Sequence, residues 1–283
     1  MAPRPAWKGY LKLSLVTCAV ELTNATTQSE KVHFRIINRA TGNTVKRQYV
    51  DSGTGKPVKD EDEVKGYETG DNEYLLIEES EIDAVEIESS HTLNLEGFVS
   101  KADIEQVYLD SPYYLTPADE VSEEAFAVIR DAMRDKKMSG LARIVLYRRE
   151  RPVVIEPHDR GMLLTTLRYD KTVRRADDVF DGLKPVTIDK DMIDLASDII
   201  DRKKMKFDPS KFEDKYEDAL IGLVEAKKKG SKPPTARPSA KPSNVVNLFD
   251  ALKKSLAEEG GSKGGSGKAS ASKPGNSKKR KSA

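Results

Sequence analysis

Ala142-Arg143-Ile144-Val145-Leu146-Tyr147, Pro152-Val153-Val154-Ile155 and Met162-Leu163-Leu164-Thr165-Thr166-Leu167 follow one another with only charged turns between them. Apolar, β-branched runs of this length at this spacing read as a three-strand meander. The same signature recurs toward the N-terminus. Val32-His33-Phe34-Arg35-Ile36 alternates apolar and polar, as a half-buried strand does. Thr41-Gly42-Asn43 is a turn before the run Val45–Val50, and Ser52-Gly53-Thr54-Gly55-Lys56-Pro57 is a second turn-rich stretch. Glu73-Tyr74-Leu75-Leu76-Ile77 and His91-Thr92-Leu93-Asn94-Leu95 are further strands. One helix interrupts them: Ser122 is placed to cap it, Glu123 and Glu124 suit its positive end, and Phe126, Ile129 and Met133 face one way. Many short strands with one helix make residues 7–170 a barrel or a sandwich.

After Lys184-Pro185 the period becomes helical. Ile188, Met192, Leu195, Ala196 and Ile199 form one stripe; Phe212, Tyr216, Ala219, Leu220 and Leu223 form the next. Asp208-Pro209 reads as a cap with a first-turn proline, and Lys227-Lys228-Lys229 before Gly230 suits a helix C-terminus. These helices either cover the β domain or embrace a partner. Beyond a linker, Ser231 to Pro242, the segment Ser243–Leu256 breaks the low complexity, with Val245, Leu248, Phe249, Leu252 and Leu256 on one helical face. A lone helix of this length is marginal. Between flexible flanks it reads as a docking peptide for another protein's groove, the alternative being a third covering helix. Glu258 to Ala283 has the composition of a disordered tail.

Charge is segregated along the chain. The last 53 residues carry 12 basic and 3 acidic side chains, whereas the rest carries 36 and 44, so a net of +1 conceals a basic tail on an acidic body. Residues 1–50 are net +6, 51–125 are −18, 126–175 are +7 and 176–230 are −3. Two basic blocks that meet in space would orient a polyanion on a body that otherwise repels it; scattered solvated charges are the other reading.

The single Cys18 rules out an intramolecular disulfide and a cysteine-rich zinc site, and its apolar surroundings make it a small buried hydrophobe. No apolar run is long enough to span a bilayer, and the N-terminus lacks a signal-peptide core, which places the chain in a reducing cytosolic compartment. His33, His91 and His158 lack metal-ligand spacing, and there is no phosphate-cradling glycine loop. Asp177, Asp178 and Asp181 are the one acidic set that could hold a divalent metal for a nuclease; solvated turn residues are the plainer reading. Binding without catalysis, and without a cofactor, is the expectation.

Longer motifs carry a resemblance. Trp7-Lys8-Gly9-Tyr10-Leu11-Lys12-Leu13-Ser14-Leu15-Val16, Lys31–Asn38 with Thr41-Gly42-Asn43, Val64-Lys65-Gly66-Tyr67-Glu68, Ser111-Pro112-Tyr113-Tyr114-Leu115 and Leu167-Arg168-Tyr169 occur in order. With Phe207-Asp208-Pro209, Phe212, Asp214, Tyr216 and Ala219-Leu220 they make residues 4–230 resemble the bacterial Ku family of non-homologous end joining. A proline common in that family is Ala19 here.

The resemblance implies a mainly β fold with α: a Ku-like β-barrel core with an inserted DNA-encircling bridge over residues 1–184, a helical C-terminal arm over 185–230, and a basic tail over 231–283 holding a short amphipathic helix at 244–256. It implies a ring-shaped homodimer that binds double-stranded DNA ends without reading sequence, associates with the nucleoid, and recruits and stimulates the end-joining DNA ligase. One β domain of this size cannot surround a duplex, but two related by a dyad can. A protein accepting any broken end contacts phosphate and sugar rather than bases. The ring-lining residues so implied are Arg35, Arg39, Lys46, Arg47, Lys56 and Lys59, then Arg148, Arg149 and Arg151. Lys263, Lys268, Lys273, Lys278, Lys279, Arg280 and Lys281 would form an auxiliary DNA grip, and Val245, Leu248, Phe249, Leu252 and Leu256 the ligase-docking face. The competing reading is a general nucleoid or RNA-binding protein acting through its tail.

Overall fold

A computed structural model describes residues 4–27, 31–86, 91–231 and 248–261. The chain divides into two compact units, Met1–Asp181 and Gly182–Ala283.

In the first unit, β1 (Trp7–Leu13) and β2 (Val16–Asn24) form a hairpin. An insertion follows, containing β3 (Lys65–Gly70), β4 (Glu73–Ile77) and α1 (Glu79–Ala84). The chain returns through β5 (Thr92–Asn94) and β6 (Gly97–Ser100), then β7 (Leu109–Pro117) and α2 (Glu120–Lys136). The meander read from the sequence closes the unit as β8 (Met138–Leu146), β9 (Arg149–His158) and β10 (Gly161–Leu167). The main sheet runs β5-β1-β2-β7-β10-β9-β8-β6. Its two end strands, β5 and β6, are separated in the chain only by Leu95 and Glu96. Leu95 donates its N–H to the Lys12 carbonyl of β1 at 2.9 Å, and Glu96 donates to the Leu141 carbonyl of β8 at 2.9 Å. Two adjacent residues thus bond to β1 near one end of the sheet and to β8 near the other, so the sheet curls back on itself as a barrel, with β5 and β6 each paired on one side.

Period-2 alternation sends Leu11, Val20, Leu22, Leu115, Ile144, Val153, Ile155 and Leu164 into one core, which α2 joins through Phe126, Ile129 and Met133. Cys18 lies in the same core, where burial, with the Asp119 carboxylate adding to it, pushes its thiol above the ordinary range. Gly9 belongs where Trp7 stacks on His91 with ring centroids 6.2 Å apart. A Cβ at Gly9 would run into the His91 carbonyl and the Trp7 ring, so the close approach requires glycine.

Some local expectations change. Val32–Ile36 and Val45–Val50 are not strands; each feeds a tight loop closed by a single bridge, Ile37 to Thr44 and Val50 to Pro57. An alternating pattern makes a strand only when another strand pairs with it, and the described residues provide none here. Ser122 is not the cap of α2. Asp119 takes that place, accepting from the Ser122 N–H at 2.8 Å. The Ser122 hydroxyl is turned inward and accepts the Ala19 N–H at 2.9 Å, a bond a proline at that position could not make.

The second unit holds α4 (Lys190–Lys203), α5 (Lys215–Lys228) and α6 (Leu248–Gly261), and the short α3 (Ala176–Phe180) precedes it. Asp208 caps only a 3-10 turn; Asp214 is the residue that caps α5, accepting from the Tyr216 and Glu217 N–H groups at 3.1 Å. No residue of α4 or α5 is buried. Arg202 on α4 donates to the Leu256 carbonyl of α6 at 3.3 Å.

Candidate nucleic-acid interface

The insertion between β2 and β5 contains no buried residue over 31–86. Large side chains stand open, among them Phe34 at 66% exposure, Tyr49 at 72% and Tyr74 at 57%. Its first part is built from the same turn used twice, thirteen residues apart. In the first, the Asn38 N–H donates to the Asn43 carbonyl and the Gly42 N–H to the Asn38 carbonyl, both at 2.8 Å. In the second, the Asp51 N–H donates to the Lys56 carbonyl and the Gly55 N–H to the Asp51 carbonyl, again at 2.8 Å. Each opens on an Asx side chain that accepts a backbone N–H two residues on, Ala40 at 2.9 Å and Gly53 at 3.0 Å. Each also reaches a glycine at positive φ, 74° at Gly42 and 68° at Gly55. In the second turn, hydrogen bonds from Thr54 hold the Asp51 carboxyl below its ordinary range.

Arg35, Arg39, Lys46, Arg47 and Lys56 lie along these turns, all exposed and without an ion pair among the described residues. Lys59 pairs with Glu61 at 3.1 Å. The other five cations stand beside a markedly acidic stretch of the chain, residues 51–125 being net −18.

The second set, on the β8–β9 hairpin, is arranged differently. Arg149 is exposed, and Arg151 lies near Tyr113, whose phenol is pushed up chiefly by burial. Arg148 is already engaged: it reaches Asp83 at 3.0 Å, Glu86 at 3.6 Å and Glu79 at 3.7 Å. This cluster joins residues more than sixty positions apart, and only the charge blocks hinted at it in the sequence. The repeated turn was legible, as Thr41-Gly42 and Thr54-Gly55 with Asn38 and Asp51 three residues ahead.

Of the docking face, Phe249, Leu252 and Leu256 are half-buried on α6, within the unit that also holds α4; Val245 and the Leu248 side chain lie outside the described residues. The tail cations Lys263, Lys268, Lys273, Lys278, Lys279, Arg280 and Lys281 also lie outside them. Asp177 pairs with Arg175 at 3.6 Å, and no group of three His, Cys, Asp or Glu among the described residues is arranged to hold a metal ion. A cavity of about 530 Å³ beside β8 and β9 has its polar side chains turned on one another: the Tyr108 hydroxyl donates to Asp170 at 3.0 Å and the Tyr169 hydroxyl to the Glu150 carbonyl at 3.0 Å. No helix among the described residues is long and apolar enough to cross a membrane.

A curled β-barrel sheet with a long insertion between β2 and β5 that buries none of its residues over 31–86 defines the class: a β-barrel protein with an extended surface excursion. The family described as the Ku70/Ku80 beta-barrel domain matches residues 12–195. The chain belongs to the Ku family. It is 46% identical over 267 residues to the non-homologous end joining protein Ku of Allorhizobium ampelinum, covering 92% of this chain and 97% of that one. The protein of that name from Bradyrhizobium sp. is 47% identical, covering 91% of this chain and 88% of its own. That of Methylocella silvestris is 44% identical, covering 90% and 96%. A solved structure, the SPOC domain of human PHD-finger protein 3, is matched over 58% of this chain and 95% of its own at a TM-score of 0.28 and 10% identity, too low to carry an argument.

Proposed function

We propose that two copies of this chain close a ring around double-stranded DNA ends in non-homologous end joining, without reading sequence and without catalysing a reaction. The observation that carries this is the insertion over 31–86: without a buried residue, rich in exposed apolar and aromatic side chains, and bearing on its repeated turns cations with no ion pair among the described residues. So much exposed apolar surface in one segment marks an interaction face. A second copy supplies the apolar contacts under two-fold symmetry, and DNA phosphates meet the cations. The exposed side chains of Ile193 and Ile200 on α4, Phe212 in the connection and Tyr216 on α5 support an arm that holds the partner subunit. Within this reading residues 1–184 are the core with its bridge, 185–230 the arm, and 231–283 a DNA-gripping tail.

The test is competition for a short linear duplex by a closed circular plasmid and by the same plasmid linearised. The linear form competes far better per nucleotide, and blocking both duplex ends prevents loading. Equal competition would replace threading by surface charge and bring forward the general nucleic-acid binder acting through its tail.

The face containing Phe249, Leu252 and Leu256 is assigned to recruitment of the end-joining ligase. Replacing Leu248, Phe249 and Leu252 with Ser abolishes ligase stimulation and leaves DNA binding intact. Retained stimulation would return these residues to a purely covering role on α4.

A further inference from the structure

We infer that Arg148 does not grip DNA but latches the insertion to the barrel, making it a positioning residue for the bridge; this rests on the ring reading above. Three carboxylates of one short segment converge on its guanidinium: Asp83 at 3.0 Å, Glu86 at 3.6 Å and Glu79 at 3.7 Å. Glu79 is also paired to Lys65 of β3 at 2.5 Å, so the network runs from β3 through α1 to the β8–β9 hairpin. Both Lys65 and, to a smaller extent, Arg148 hold the Glu79 carboxyl below its ordinary range. An isolated exposed ion pair contributes little, but one arginine shared by three carboxylates is a network. The Nη1 and Nε edges of the guanidinium are taken up by these carboxylates, and three negative charges within 3.7 Å disfavour the approach of a phosphate.

The backbone carries a second, independent sign. Leu146 pairs with Arg149, leaving Tyr147 and Arg148 as a two-residue turn with φ of 52° and 66°. Both values suit Asn-Gly, the usual occupants of such a turn, and strain a side chain with a full Cβ. Strain retained at a turn tip points to a task for the side chain it carries. Here the task is reaching α1: the hairpin projects Arg148 from the barrel rim against the returning limb of the insertion. With that limb tied to the rim, its approach to the barrel is set before a partner subunit or DNA arrives.

Arg148→Gly separates this role from folding, because glycine suits the turn. The variant keeps or raises the melting temperature, while amide exchange over residues 79–86 of the free protein quickens by about fivefold. Its complexes with linear duplex dissociate several-fold faster. Arg148→Glu shows the same loss more strongly, and adding Asp83→Arg to it restores both exchange and retention, since the pair is reinstated with its charges exchanged. A direct phosphate contact behaves otherwise: R148G would flatten the salt dependence of binding by about one counterion per subunit, and D83R would rescue nothing. That outcome, or unchanged exchange over 79–86 in R148G, overturns the latch. If the wild-type protein fails to prefer linear over closed circular DNA, the ring reading falls, while the exchange arm still decides whether the latch exists.

Discussion

Replacing Phe126 with Ala destabilises the first unit by about 3–5 kcal/mol, lowering its melting temperature by roughly 10 °C. Phe126 is 1% exposed and belongs to the single core cluster that joins α2 to the barrel strands. Removing the ring deletes buried apolar surface and leaves a cavity that the hydrogen-bonded strands cannot collapse to fill. Val121 on the same helix is 91% exposed, and Val121→Ala changes stability by no more than about 0.5 kcal/mol. Thermal unfolding of the two variants beside the parent is the check. A Phe126→Ala protein that melts like the parent would mean that α2 does not complete the core.

Replacing Arg35, Arg39, Lys46 and Arg47 with Gln lowers affinity for short linear duplex by about a hundredfold or more near physiological salt, and flattens the slope of log K against log salt by about 3–4 per subunit. These side chains are exposed and without ion pairs among the described residues, so the fold loses nothing and the melting temperature stays where it was. Phosphate contacts carry no base information, so the loss is equal for duplexes of unrelated sequence. A titration over salt concentration gives both numbers. An unchanged slope would move the phosphate contacts away from the insertion.

Together the two results would separate the parts of the molecule. The barrel's stability is internal, held by a core shared between α2 and the curled sheet. The insertion makes almost none of its own stability, because none of its side chains over 31–86 is buried within the chain. The Arg148 cluster lies between these regimes, where modest electrostatics on the surface can set the pose of an arm without affecting whether the barrel folds.

How far each feature was legible follows the range of the interaction behind it. The β8–β10 meander was visible because side-chain alternation and turn residues are local. The helix carrying Phe126, Ile129 and Met133 was visible for the same reason, but its cap was not. Ser122 and Asp119 are both good caps by type, and the choice was made by the distant Ala19 N–H, which claims the Ser122 hydroxyl. Val32–Ile36 misled because a pattern of period 2 says that one face could be buried, not that anything lies beside it.

Local pattern was enough for the β8–β10 meander, the helical period of the second unit and, through ordered motifs, the likeness to the Ku family. Folding in three dimensions was needed to bring Leu95 to β1 and Glu96 to β8, and to set Arg148 against Glu79, Asp83 and Glu86. Periodicity and turn chemistry act over a few residues and are written in order along the chain. The curling of the barrel and the charge pairing join groups 45 or more positions apart, and which of many carboxylates meets a given guanidinium is settled only when packing brings the two segments together.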